Sequence, residues 1–494
     1  MNKVGLLFLI SLSLLLYGTF LNRVPVHLNQ DELGFSLNAY SIAKSGFDEN
    51  GRFFPVYFWH LGVMWATPIM TYLTATVLKI LPLSEATIRI PSVLVGTTNV
   101  ILMWFLAKRV FKSEMWAYVS AIILALTPVQ FIQSRVLLDN LYPVPFVLGW
   151  LICLHKYLEE KKVKTLILGV FLLGVGMHTY HASRIMMPLY FLVTIALTWR
   201  DITKKLWVIL STFIYFLLPL IPLILWLIKF PDTLFTDQVK YVGINNFNIL
   251  HRLDVFINFF NPVFLFLKGD ASLIHSTQRS GVFLLPLLIL LPIGIVKAWG
   301  SKDKFLKLLL IGFFTSPIAA TIAGDHFRIS RALFMIPFAI LLATYGVRWL
   351  FAKQKALTML LLLLIPLQFG LFWYNYMKGY RFRSYQWFNY NIGGALESAV
   401  KKSEGKESIY LDKRVDFIER YFRFYTIKLD RADLQVKAKL FDPYHLKEQN
   451  LPEKSLVVVQ FNNVDGQKEQ IGEFKKIDTI YEPDATSRFF LFEN

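Results

Sequence analysis

Val4-Gly5-Leu6-Leu7-Phe8-Leu9-Ile10-Ser11-Leu12-Ser13-Leu14-Leu15-Leu16-Tyr17-Gly18-Thr19-Phe20-Leu21 runs without a charge, and Asn29-Gln30-Asp31-Glu32 follows it closely. The first stretch approaches the roughly 20 apolar residues that a helix needs to cross a bilayer. It looks like a secretory signal, but no small-residue cleavage site follows its apolar run, so it reads as an anchor. The second stretch sets two acids just beyond that anchor, at the start of a helical segment that runs to Lys44 and is stopped by Gly46. Leu33, Leu37 and Tyr40 recur there at helical spacing, so one face is apolar.

Composition carries the membrane reading across the chain. Of 494 residues, 55% are hydrophobic and only 17% charged, against about 25% charged in a soluble domain. Mean hydropathy is +0.47. Cys153 is the only cysteine, which excludes a disulfide within the chain. The formal net charge of +18 suits cytoplasmic loops rather than nucleic acid, because Lys and Arg fix membrane topology. Eleven stretches are apolar enough to span: 4–21, 87–107, 115–133, 141–155, 165–179, 185–199, 206–228, 281–299, 305–323, 332–350 and 357–375.

Charge sets their direction. Five clusters occupy alternate short loops: Lys108/Arg109/Lys112, Lys156/Lys161/Lys162/Lys164, Arg200/Lys204/Lys205, Lys302/Lys304 and Lys353/Lys355. All five fall inside if Lys3 is cytoplasmic and the apolar segment 62–81 does not cross. That segment is therefore expected along the outer interface, anchored by Trp59, Trp65 and Tyr72. The expectation is a multi-pass cell-membrane protein with its N-terminus cytoplasmic and its C-terminus outside. Residues 1–375 form the membrane domain, with outer stretches 22–86 and 229–280. Residues 376–494, richer in charge, form an extracytoplasmic α/β domain. It should hold a helix over 389–402 and strands at Ser408–Leu411, Ser455–Gln460 and Phe489–Phe492.

Reactive side chains gather on the outer side. Asp31 and Glu32 either serve the helix start, as a cap and a dipole partner, or do chemistry. Asp139 stands at the membrane boundary four residues after Arg135, and is either paired with it or used. His178-Thr179-Tyr180-His181-Ala182-Ser183-Arg184 and Asp325-His326-Phe327-Arg328-Ile329-Ser330-Arg331 are basic outer loops. Their arginines suit lipid headgroups or a substrate phosphate, which guanidinium grips with two parallel hydrogen bonds. His181 and His326 lack partners at metal-ligand spacing. No phosphate-loop or nucleophile-elbow motif occurs. Charges inside the spans are nearly absent, which counts against a transporter.

The arrangement resembles the GT-C superfamily of lipid-linked-sugar glycosyltransferases. It is most like the family 39 type, the protein O-mannosyltransferases and the lipid A aminoarabinose transferases. Asp31-Glu32-Leu33-Gly34-Phe35 with Ala39-Tyr40 is similar to the family's acidic first-loop motif. Ser84-Glu85-Ala86-Thr87-Ile88-Arg89-Ile90-Pro91-Ser92 resembles its entry into the second span. Ser134-Arg135 with Asp139 resembles its second-loop acid, and His178-Thr179-Tyr180-His181 with Arg184 a motif of bacterial members. The resemblance covers about residues 1–350. It departs where relatives show His-Pro-Pro-Leu and this chain has Trp65-Ala66-Thr67-Pro68-Ile69.

The resemblance implies a polyprenyl-phosphate sugar donor and a protein, lipid or glycan acceptor. Asp31 would be the base, with Glu32 and Asp139 positioning or sharing its task. Arg184, Arg328, Arg331 and His326 would bind the donor phosphate, and Tyr40, Tyr180, His181 and Arg135 the substrates. No cofactor is required, since these cations can replace a metal; a divalent ion between Asp31 and Asp139 stays open. The absence of Trp-Trp-Asp counts against the metal-dependent oligosaccharyltransferase branch. The rival reading is a lipid-linked-sugar or polysaccharide transporter or flippase, for which the prolines Pro219 and Pro222 in the seventh span are the only hint.

Overall fold

The computed structural model describes residues 3–233, 248–324, 326–443, 451–461 and 474–494. The chain divides into two compact units. One comprises Met1–Thr19, Arg52–Leu73 and Arg89–Tyr374; the other comprises Phe20–Gly51, Thr74–Ile88 and Asn375–Asn494.

The first unit is helical. Among the described residues, seven helical stretches are long and apolar enough to cross a membrane: Glu85–Phe111, Asp139–Glu160, Ser183–Ile202, Leu206–Lys229, Lys304–Ala323, Met335–Lys353 and Lys355–Lys378. They coincide with seven of the eleven expected stretches. The other four are shorter helices: Val4–Gly18, Glu114–Ala125, Val163–Gly176 and Leu287–Trp299. The expected span 115–133 shows why. Its helix stops at Ala125, and a new one begins with Pro128 in its first turn and runs to Gln133, because proline lacks the N–H that a continuous helix needs there.

Segment 62–81 also folds in pieces. Strands β1 (Phe58–His60) and β2 (Met64–Ala66) form an antiparallel hairpin, with Trp59 opposite Trp65. The helix Pro68–Leu78 follows. At 1.5 Å per residue its 11 residues rise about 16 Å, half of what a span requires.

Helices Leu287–Trp299 and Met335–Lys353 approach at backbone distance. A Cβ on Gly294 would collide with the Leu342 carbonyl, and one on Gly346 with that of Leu290. Small residues permit such close approach between helices in lipid.

The second unit holds a five-stranded sheet in the order β4-β3-β5-β7-β6. Its strands are β3 (Ser408–Asp412), β4 (Ala438–Phe441), β5 (Ser455–Gln460), β6 (Lys475–Tyr481) and β7 (Ser487–Glu493). β3 pairs in parallel with β4 and β5; β7 pairs antiparallel with β5 and β6. Tyr410, Val457, Val459, Phe490 and Phe492 share one hydrophobic cluster. Ile409, Leu411, Leu456, Val458 and Leu491 alternate with them along the strands and are also buried, so the central strands have apolar cover on both faces.

The expected strands lie within β3, β5 and β7, and the expected helix is Ile392–Lys401. Strands β4 and β6 and the helix Ile418–Lys428 were not foreseen. That helix packs against Gln30–Ser45 within the same unit.

Candidate functional site

In the second unit, the helix Gln30–Ser45 begins with a full capping box. Asn29 Oδ1 accepts from Asp31 N at 2.9 Å, and Glu32 Oε2 accepts from Asn29 N at 3.2 Å. Two of the N–H groups at the helix entry are thereby satisfied. Asp31 is therefore not the cap, as one reading of the sequence had it; Asn29 is. Glu32 is fully buried in the box, while Asp31 is half-buried one residue before it. The helix closes on Gly46 at φ 79°, a left-handed position that suits glycine.

Neighbours from the α/β domain surround this entry. Tyr421 Oη donates to the Leu28 carbonyl at 3.0 Å, and His27 Nε2 lies 3.0 Å from Glu482 Oε2. Burial, then the charges of Glu32 and Asp31, push the Tyr421 phenol well above its usual range. Further along the helix, half-buried Tyr40 has the Lys44 ammonium 5.6 Å from its ring centre.

In the first unit, Asp139 opens a short turn, Asp139–Leu141, and is only 7% exposed. Thr67, just after the β1–β2 hairpin, donates to Asp139 Oδ2 at 3.1 Å or to the Thr179 carbonyl at 3.0 Å. Thr67 thus joins the second-loop acid to the His178–His181 motif. It stands where the sequence departs from its relatives, and sequence reading gave it no role. Arg135 is fully buried and donates Nη1 to the carbonyls of Tyr17 (2.8 Å) and Leu16 (3.3 Å). Its guanidinium ties the loop to the first helix.

The cations of the two basic loops separate into groups. His181 and Tyr180 are half-buried, their rings edge-on at 6.4 Å. Burial, then the charges of Arg184, His60 and Arg331, hold the His181 imidazole well below its usual pKa. Arg184 Nη1 donates to the Thr233 carbonyl at 3.2 Å, and its guanidinium lies 5.1 Å from the Tyr57 ring centre. The Tyr57 hydroxyl lies 3.1 Å from His178 Nδ1, whose Nε2 donates to the Pro219 carbonyl at 2.8 Å. Arg184 Nε and Nη2 and His181 Nε2 are buried without a hydrogen-bond partner among the described residues.

The Arg328 charge instead acts on Asp270. That carboxylate is 1% exposed and accepts from Ser272 N at 2.7 Å and Ile329 N at 2.6 Å. Burial pushes its pKa up to about 6 against the pull of these N–H groups and of Arg328. His326 Nε2 lies 3.6 Å from Asp254 Oδ2, and its ring is 5.0 Å from that of His251. Asp325 lies outside the described residues, as does 234–247 of the outer stretch 229–280. Of the loop's two arginines, then, Arg331 is the one grouped with Arg184 and His181. Asp270 and His60 carry no motif that would have singled them out. Among the described residues, no three of His, Cys, Asp or Glu gather as a metal-binding group.

Residues 66–226, about a third of the chain, match the family model of dolichyl-phosphate-mannose-protein mannosyltransferase. That stretch contains Thr67, Asp139, His181 and Arg184. A comparison with curated protein sequences finds no match. Among solved structures, apo ArnT from Cupriavidus metallidurans shares the fold with a TM-score of 0.60 at 12% identity, over 99% of this chain and 98% of that one. ArnT bound to undecaprenyl phosphate gives 0.58 at 13%, over 100% and 98%. The apo oligosaccharyltransferase of Archaeoglobus fulgidus gives 0.52 at 13%, over 99% and 74%. The chain thus shares the fold of these structures, and its residues 66–226 are similar to the mannosyltransferase family.

Proposed function

We propose that the chain moves a sugar from a polyprenyl-phosphate donor to an acceptor hydroxyl on the extracytoplasmic face, with inversion at the anomeric carbon. The observation that carries this reading is the pair of guanidinium groups, Arg184 and Arg331, whose charges both act on His181. A buried guanidinium with two unpartnered nitrogens calls for an anion with several acceptor oxygens, and a lipid phosphate supplies them. Two structures of the same fold fit a ligand of this class: ArnT bound to undecaprenyl phosphate and the Archaeoglobus AglB complex with a dolichol-phosphate.

In the proposed reaction Asp31 takes the proton of the acceptor hydroxyl as its oxygen attacks the anomeric carbon. The bond from that carbon to the phosphate oxygen breaks, and the electron pair leaves with polyprenyl phosphate. Arg184 and Arg331 offset its charge. Glu32 fixes the helix start, and Asp139, held by Thr67, orients the acceptor. Arg328 and His326, grouped with Asp270 and Asp254, would shape the outer loop rather than grip the phosphate. No metal is needed in this scheme. The positive-inside pattern supports a cytoplasmic N-terminus and an extracytoplasmic α/β domain. The acceptor is a protein, lipid or glycan hydroxyl.

The test is release of polyprenyl phosphate by purified protein from a panel of polyprenyl-phosphate sugars, with Asp31→Asn and Arg184→Ala beside wild type. Wild type should turn over, Asp31→Asn should fall at least about 100-fold, and Arg184→Ala should lose donor binding as well as rate. Normal turnover by Asp31→Asn would move the base to Asp139. No release by wild type from any donor would bring the transporter reading forward.

A further inference from the structure

The entry of the acidic helix is completed by residues more than 300 positions away in sequence. Asn389 sits at φ 58°, a left-handed conformation that asparagine tolerates better than most side chains. From there its Oδ1 accepts the Gln30 N–H at 3.3 Å. Two residues earlier, the Trp387 carbonyl accepts from Asn29 Nδ2 at 3.1 Å. That bond fixes which way the Asn29 amide faces, so that its Oδ1 meets Asp31 N.

A helix start leaves its first N–H groups without intrahelical partners, and a carboxylate in the first turn is drawn to them. Here the Gln30 and Asp31 N–H groups are already taken, one by Asn389 and one by Asn29. We infer that Asn389, with the Trp387 carbonyl, is a positioning element for Asp31: it completes the helix cap from the α/β domain and keeps the Asp31 carboxylate out of it. The inference rests on the reading of Asp31 as base. It gives the α/β domain a part in the reaction.

Backbone geometry supplies a clean test. Glycine adopts the left-handed conformation freely, so Asn389→Gly keeps the turn and deletes the acceptor, while Asn389→Asp keeps the acceptor. Gln30→Pro removes the same hydrogen bond from the other side. Proline is favoured at the first helical position, and the preceding Asn29 is already extended at ψ 153°, as a residue before proline requires.

Full-length protein is assayed for kcat and donor KM, with amide hydrogen exchange followed over residues 29–33. Asn389→Gly and Gln30→Pro should each lower kcat about tenfold, a cap-sized interaction, with KM held within about twofold and faster exchange at the helix start. Asn389→Asp should stay within about twofold of wild type in kcat and in exchange. Wild-type kcat in Asn389→Gly, or equal impairment in Asn389→Gly and Asn389→Asp, overturns the inference. A wild type that releases no polyprenyl phosphate defeats the transferase reading on its own. The exchange arm still decides the Asn389 contact in that case, and unchanged exchange in Asn389→Gly overturns it.

Discussion

The Thr67 hydroxyl has one hydrogen and two acceptors within reach, Asp139 Oδ2 and the Thr179 carbonyl. Both acceptors are in protein that excludes water, and a buried carboxylate that loses a donor keeps its desolvation cost. Thr67→Val, similar in shape, should therefore destabilise the protein by about 1–3 kcal/mol and lower turnover. Thr67→Ser should restore both, as read by thermal unfolding and donor turnover. Wild-type behaviour of Thr67→Val would remove Thr67 from the site. Asp31, Asp139, Arg184 and His181 were singled out from the sequence because acids and basic residues in short loops between apolar stretches stand out locally. Thr67 was not, since an isolated threonine has no signal until the fold sets it beside a carboxylate. The capping role given to Asp31 went to Asn29 for a related reason: both are good cap residues in one short run, and the box with Glu32 selects between them.

Among helices, the pair Leu287–Trp299 and Met335–Lys353 gives the sharpest expectation. Glycine to alanine within a helix gains up to about 1 kcal/mol of intrinsic propensity. At Gly294 and Gly346, however, the added Cβ would strike the backbone of the facing helix, which has no rotamer by which to move aside. Overpacking of about 1–3 kcal/mol should win, so Gly294→Ala and Gly346→Ala should each lower the unfolding temperature in detergent. Gly370, with nothing near a Cβ, is the control, and Gly370→Ala should be neutral or slightly stabilising. Long apolar helices were legible from residue type alone. Breaks inside them, as at Pro128, were harder to place, because composition measures apolarity and not continuity. In the α/β domain, β4 and β6 are edge strands with lysines in them, and such strands lack a buried run. The helix Ile418–Lys428 did carry a signal, in the helical spacing of Ile418, Tyr421, Phe422 and Tyr425, all buried.

For the molecule as a whole, one boundary at 375/376 does not describe how the chain divides. Phe20–Gly51 and Thr74–Ile88 belong with the C-terminal residues. Within that unit, Glu49 accepts from Arg423 at 2.9 Å, and Lys428 bridges Glu85 and Glu397 at 2.7 Å each. Composition changes along the chain revealed the C-terminal domain, but pairings across more than 300 residues leave no trace in local sequence. A chain ending at Lys378 should therefore keep its long apolar helices, lose the proposed sugar transfer, and become sensitive to limited proteolysis over 20–51 and 74–88. Protection of those stretches in the shortened chain would show that they fold without the rest.

That interleaving also sets an order of events during synthesis. The acidic helix leaves the ribosome early, while Trp387, Asn389 and Tyr421 are translated more than 300 residues later. At about 5–20 residues per second, that interval is roughly 18–80 s. Throughout it the Trp387 and Asn389 partners of the helix start do not yet exist, so on the proposed reading of Asp31 transfer would begin only once that segment is made.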